Sequence, residues 1–299
     1  MHSLLSIIIP TYNYGFHIAD AMESVLAQHD AEFELLIIDD GSTDNTETVV
    51  RPYVKKYPSF IRYIKKNNGG PGSARNLGAR EAKGNYFIFL DADDTLLKNA
   101  FVIFRQALKK NPHVDFIAAG HSSIDDKKHI KLHPFIKPLY PQAEQNFIGY
   151  LRKEFSLTPG SCLFHRRIFN KLHYPENVRS SEDLSVFAQT LALYQCISIP
   201  EPVVLMYKHP DSLRHHFDYQ KAAGTHIVDL IFDRSLLPDR FFKFRQEYLG
   251  IRLLSLFRNA YFNKEYRAAK TYYWQALKAY PNAVLKLPYL RKYLRCVFA

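Results

Sequence analysis

Short apolar runs alternating with segments of helical period constrain the fold of residues 1–120 more than any other feature. Ser6–Pro10, Phe33–Ile38, Phe60–Ile64, Tyr86–Leu90 and Asp115–Ala119 are rich in β-branched and aromatic residues and too short for helices, so they read as strands. Between them Ile18–Gln28, Asp44–Tyr57, Pro71–Lys83 and Leu96–Lys109 read as helices, the third with proline in its first turn, where a missing N–H does no harm. Strands alternating with helices predict an α/β fold: a mainly parallel sheet, covered by helices on both faces and joined by right-handed crossovers. Further on, Ala143–Leu151 and Asp183–Tyr194 read as helices, and Ser161–Phe164 and Val203–Tyr207 as strands. Arg245–Asn259 and Lys264–Ala279 read as a helical hairpin, and Ala283–Phe298 as a last helix interrupted at Pro288.

The strands matter for what stands at their ends. Tyr86–Leu90 runs straight into Asp91-Ala92-Asp93-Asp94. Carboxylates packed that closely repel one another unless a cation or a hydrogen-bonding network balances them. A divalent ion bridging carboxylate to substrate phosphate is one such balance; a helix cap at Asp94 or Thr95 is the ordinary alternative. The first strand ends in Pro10-Thr11-Tyr12-Asn13 and the second in Asp39-Asp40-Gly41-Ser42-Thr43-Asp44. The third helix opens with Asn68-Gly69-Gly70-Pro71-Gly72-Ser73-Ala74-Arg75-Asn76. Ligands of open α/β sheets bind outside the carboxyl ends of the strands, and each cluster suits part of a nucleoside diphosphate. A carboxylate at Asp39 or Asp40 accepts from a pyrimidine N–H, and Tyr12 packs on a base or ribose. The glycines admit close backbone approach, and Arg75 offers a fork to phosphate oxygens. Taken singly, each cluster is an ordinary turn, loop or packing residue; their order along one sheet edge carries the reading. No dinucleotide or P-loop glycine pattern is present, which argues against those classes and against a nucleotidyltransferase.

These four segments together resemble glycosyltransferase family 2, strongly over residues 4–120 and loosely over 160–215. The resemblance implies the GT-A fold, an inverting transfer from a nucleotide sugar and a role in bacterial surface polysaccharide. By it, Pro10, Thr11, Tyr12, Asn13, Asp39, Asp40, Gly72, Arg75, Asp91, Ala92 and Asp93 belong to the nucleotide-sugar site. Thr11, Asp39 and Asp40 would face base and ribose, Arg75 the phosphates, Asp91 the ribose or sugar, and Asp93 would bind Mn²⁺ or Mg²⁺. Ser180-Ser181-Glu182-Asp183-Leu184 resembles the family's Glu-Asp pair at a helix start, which assigns the general base to Asp183, with Glu182 second. Tyr207–Leu213 resembles the family's closing segment, so Lys208, His209 or His215 would touch phosphate or metal, His209 being the metal candidate. Processive members carry Gln-x-x-Arg-Trp and membrane helices. Trp274 instead lies in Tyr-Tyr-Trp-Gln, so one sugar is expected per encounter.

Charge divides the chain in two. Of its net +11, residues 221–299 hold +10. The expected organisation is a catalytic domain over 1–218, with a nucleotide-binding half (1–120) and an acceptor-binding half (121–218), followed by a basic helical extension over 219–299. Residues 245–299 interleave arginine and lysine with tyrosine, phenylalanine and leucine, a composition suited to an anionic membrane surface and a lipid-linked or glycan acceptor. A solvated basic cap or a dimer contact is the alternative. Nucleic acid is disfavoured, since no recognition motif is present. A non-catalytic scaffold acting through this tail is the contrasting reading of the whole chain. Cys162, Cys196 and Cys296 are too few and too scattered for a disulfide framework and fit a reducing cytosol. Leu4–Ile9 lacks a basic leader, and no stretch nears the roughly 20 apolar residues of a membrane span, so a cytoplasmic protein, peripheral at most on the inner face of the plasma membrane, is expected.

Overall fold

The structure is a computed structural model that describes residues 4–28, 32–125, 127–135, 138–208, 217–284 and 287–298 of the chain. In order it runs β1 (Leu5–Thr11), α1 (Ile18–Leu26), β2 (Phe33–Asp39), α2 (Thr46–Lys56), β3 (Ile61–Lys65), α3 (Pro71–Glu81), β4 (Tyr86–Phe89), β5 (Thr95–Leu96), α4 (Ala100–Lys110), β6 (Phe116–Ile124) and β7 (Ile130–His133). There follow α5 (Ala143–Leu151), β8 (Cys162–His165), α6 (Asp183–Leu193), β9 (Cys196–Tyr207), α7 (Phe217–Ala223), α8 (His226–Ile231), α9 (Arg245–Phe262), α10 (Tyr266–Ala279), α11 (Pro281–Val284) and α12 (Leu287–Val297).

The described strands form one sheet in the order β3-β2-β1-β4-β8-β6-β9-β5, with β7 on β6. The first four are parallel neighbours. Beyond them β8, β7 and β5 join antiparallel while β9 runs parallel to β6, so the far side of the sheet is mixed. In the parallel part, alternate residues enter opposite cores. Leu5, Ile7 and Ile9 of β1 pack under α1 and α4, while Ile8 packs with Leu36, Ile38, Phe87 and Phe89 under α3 and α6. Burial on both faces is why these strands read as continuous apolar runs. A third cluster, Leu253, Leu254, Phe257, Ala269, Tyr273 and Cys296, holds α9, α10 and α12 together.

Register aligns the strand ends. Thr11 pairs with Asp39, Asp39 with Lys65, and Ile8 with Phe89. The polar clusters after β1, β2, β3 and β4 therefore emerge along a common edge. Several elements differ from expectation: β7 has no counterpart among the expected strands, and β6 runs on to Ile124 to pair with it. The helix expected from Leu96 begins at Ala100, because Thr95 and Leu96 pair with Leu205 and Val204 as β5. β9 starts at Cys196 rather than Val203, and its register slips carry Pro200 and Pro202 through the sheet. Of the last expected helix, Ala283–Phe298, α12 covers Leu287–Val297 with Pro288 in its first turn, where proline is tolerated; residues 285–286 lie outside the described residues.

Candidate active site

The common edge opens into a cavity of about 1180 Å³. Its wall includes Pro10, Thr11 and Tyr12 after β1, Asp40 after β2, Arg75 on α3, Asp91, Ala92 and Asp93 after β4, and Glu182 and Asp183 at the start of α6. Segments far apart in sequence thus meet around one space. Asn13, Asp39 and Gly72 are not in that wall. His209 and His215 lie outside the described residues.

The loops behind the wall are built from the same motifs. The Asn13 side chain accepts from the Thr43 N–H at 2.8 Å, and its own N–H donates to Ser42 Oγ at 2.8 Å, latching the β1 loop to the β2 loop. Asp39 is fully buried and accepts from the Ser42 N–H at 2.7 Å and from the Tyr63 hydroxyl, whose own proton is held far more firmly than usual by burial and by that bond. Asp40 accepts from Lys66 Nζ and the Gly70 N–H at 2.7 Å and from the Gly69 N–H at 2.9 Å. It shapes the glycine loop, in which Gly70 holds φ +89°. Gly72 admits the chain itself: a Cβ there would come within 2.6 Å of the Pro175 carbonyl oxygen.

Arg75 supplies the cation that the packed acids require. It is buried against the Tyr174 ring, donates from Nη2 to Asp91 Oδ1 at 2.8 Å and from Nη1 to Glu182 Oε1, and so ties the end of β4 to the start of α6. A phosphate was the expected partner. The structure gives Arg75 two carboxylate partners through charge-assisted bonds and also places it in the cavity wall, which leaves a phosphate contact open to it. Asp94, the candidate helix cap, accepts instead from the Tyr207 N–H at 3.1 Å and pins β9 to the site.

The acids differ in setting. Asp91 is half-exposed, and burial of its surroundings pushes its carboxyl upward, with Arg75 opposing and Asp93 adding to the rise. Asp183 is pushed up to about 7, first by burial and then by the charge of Glu182, against a smaller opposing pull from Arg75. Just before this pair Ser181 holds φ +68°, a strained value for serine of the kind found at functional sites. Thr11, also in the wall, has a buried Oγ1 with no hydrogen-bond partner among the described residues.

Two groups of lining residues escape the sequence motifs. Arg179, exposed beside Gly70 and bonded to Asn68 at 3.1 Å, is a free-standing cation next to the glycine loop. Tyr248, Arg252, Ser255 and Asn259 of α9 reach the cavity from the basic extension. Their helical spacing was readable, but not where the face would point. Among the described residues no cluster of three His, Cys, Asp or Glu is arranged to hold a metal. The carboxylates of Asp93 and Asp91 are the oxygen donors that a hard divalent ion prefers, and such an ion would draw its remaining ligands from substrate phosphate and water.

The family model described as Glycosyl transferase family 2 matches residues 6–173. An uncharacterized glycosyltransferase of Rickettsia felis is 36% identical over 183 residues, 60% of this chain and 29% of that protein. The matched region spans less than half the length of several such relatives. The crystal structure of S. aureus TarS 1-349 in complex with UDP-GlcNAc superposes with a TM-score of 0.69 at 20% identity, covering 94% of this chain and 82% of that one. The mannosyltransferase PcManGT from Pyrobaculum calidifontis, in complex with GDP-Man and Mn²⁺, gives 0.59 at 17% identity, covering 100% of this chain and 85% of that one.

Proposed function

The chain belongs to glycosyl transferase family 2 and has the GT-A fold, and on that premise we propose that it moves one sugar per encounter, with inversion, from a nucleotide sugar to a hydroxyl of a glycan or lipid-linked acceptor. The observation that carries this reading is that Asp93 and Asp183, on separate elements, line one cavity with Thr11, Tyr12 and Asp40. UDP is the favoured carrier. Tyr12, nearly half-exposed, offers its ring to the base, and the unsatisfied Thr11 hydroxyl offers a bond to base or ribose. Arg179 and the positive end of the α3 dipole attract the diphosphate.

Asp93 would hold Mn²⁺ or Mg²⁺. The bound ion would offset charge gathering on the departing diphosphate. Asp183 takes the proton of the acceptor hydroxyl as the oxygen attacks the anomeric carbon opposite the leaving group. A carboxyl poised near 7 is a far better acceptor of that proton than an ordinary aspartate. Glu182 is committed to Arg75, which favours Asp183 over it as the base. Asp91, held by the same arginine, sets the floor on which the donor sugar rests. On this reading residues 1–218 are the catalytic domain and 219–299 a basic helical extension that adds α9 to the cavity wall. The tail also suits the inner face of a membrane: α12 exposes Leu287, Leu290, Leu294 and Val297 at helical spacing beside Arg291, Lys292 and Arg295. No described helix is long and apolar enough to cross a bilayer.

The test is a panel of nucleotide sugars assayed with Mn²⁺ for release of free nucleotide. Metal-dependent release from one donor, lost in Asp93→Ala, is expected. Release from none, or release indifferent to that substitution, would sink the reading.

A further inference from the structure

Part of the excess positive charge of the C-terminal extension faces the cleft: Arg252 is buried there, and Arg258, like Lys153, is exposed at the cavity wall. Arg252 and Arg258 on α9 line the active-site cavity together with Lys153, just past α5. Arg252 is 7% exposed, and its guanidinium donates only to neutral carbonyls, to Gly224 at 2.9 Å and Gln220 at 3.3 Å. The three cations are close enough to feel one another: burial lowers the Lys153 ammonium, and the charges of Arg258 and then Arg252 lower it further. Among the described residues, no ion pair joins any of the three to a carboxylate. Glu154, the neighbouring acid, also lines the cavity, and its backbone N–H donates to the Gly149 carbonyl at 2.9 Å.

Clustered like charges that form no ion pair among the described residues are unfavourable by themselves, and in a cleft they draw an anion. Position says which anion. Buried Tyr248 senses both Arg252, which eases its ionisation, and Asp183, which opposes it. The basic stripe therefore adjoins the proposed base, where the acceptor hydroxyl must stand. The donor diphosphate has its own partners near Asp93, Gly70 and Arg179.

We propose that Lys153, Arg252 and Arg258 form a second anion subsite that holds a phosphate group of the acceptor while its hydroxyl meets Asp183. This rests on the transferase reading and narrows it: the acceptor bears phosphate beside the sugar-accepting position. That phosphate is either a diester within a glycan or polyol chain or the diphosphate joining a glycan to lipid.

Calorimetry on the full chain, with the donor site filled by UDP and Mn²⁺, tests this with three probes: a short glycerol phosphate oligomer, a farnesyl-diphosphate-linked N-acetylglucosamine and an uncharged maltodextrin. One phosphate probe is expected to bind where maltodextrin does not, and which one identifies the source. Its affinity should drop about tenfold, the loss of one charge-assisted contact, in each of Lys153→Gln and Arg258→Gln. Arg258→Lys should recover part of it, and UDP binding reports that each variant is folded. Phosphate probes that bind no better than maltodextrin, or that ignore both neutral substitutions while UDP still binds, overturn the subsite. Wild-type protein that is folded yet binds no UDP overturns the donor reading instead, and the assignment to an acceptor with it.

Discussion

Asp183→Asn should make the protein more stable and abolish transfer. In the folded chain the Asp183 carboxyl is raised from 3.8 to about 7, chiefly by burial and the Glu182 charge. Ionising a group held that far above its unfolded value costs ~4 kcal/mol of folding free energy. Solvent reaching the half-buried side chain and sharing of charge with Glu182 and Asp91 reduce this to roughly 1–3 kcal/mol. The sign follows from linkage. The folded state binds the proton more tightly than the unfolded one, so wild-type stability falls as pH rises from about 4 to 7 and is level above that. The advantage of the uncharged variant is therefore absent below about pH 4, grows through that window and is complete by pH 8. Scanning calorimetry at pH 8 should show a gain of roughly 2–6 °C at about 2 °C per kcal/mol for a chain of this size. Transfer, followed as nucleotide release in the presence of acceptor, should fall by at least about a hundredfold. A variant no more stable than wild type at pH 8, or one that still transfers, would refute the reasoning.

Other consequences follow from the same geometry. The transfer rate should drop about tenfold per unit as pH falls below 7, because only ionised Asp183 accepts the proton; a pH–rate profile flat down to pH 5 would exclude it as the base. Arg75→Met should destabilise by ~3–5 kcal/mol in urea unfolding, since it leaves Asp91 and Glu182 facing each other without their cation. Gly72→Ala should cost roughly 1–3 kcal/mol by the same measurement, as its Cβ meets the Pro175 carbonyl. Leu290→Glu with Leu294→Glu should abolish co-sedimentation with phosphatidylglycerol vesicles if α12 lies on the membrane, and leave the unfolding midpoint near wild type.

The parallel part of the sheet is legible in sequence because its strands are buried on both faces, which prints them as unbroken apolar runs between helical patterns. β5 is not legible: Thr95 and Leu96 become a strand only by pairing with Leu205 and Val204, and nothing local announces that partner. The acidic cluster and the Glu182-Asp183 pair are visible as residues, but their partners are not. Arg75 meets carboxylates 16 and 107 positions away, and a lone helical arginine carries no sign of either. Asp39, Asp40, Asn13 and Gly72 are conspicuous for a related reason. They stand at strand and helix ends and loops along the sheet edge, yet their hydrogen bonds and close contacts run to the neighbouring loops and to Tyr63 and Pro175. Sequence marks where a site is; whether a polar residue faces the ligand or the loop behind it depends on neighbours brought in by the fold.

That distinction bears on how one pocket can hold several carboxylates with separate duties. Were Asp91, Asp93, Glu182 and Asp183 in like surroundings, they would titrate alike, and none would be both ionised for a metal and basic enough for a hydroxyl proton. Arg75 breaks the equivalence. It binds Asp91 and Glu182 directly and Asp183 only through space, while burial first and the Glu182 charge second lift Asp183 to about 7. Asp93 stands at the cavity wall, where by the proposed function it would hold a cation. Environments that push acids apart assign their roles. Here one buried arginine does so, and replacing it should disturb the pH profile of transfer as well as the fold.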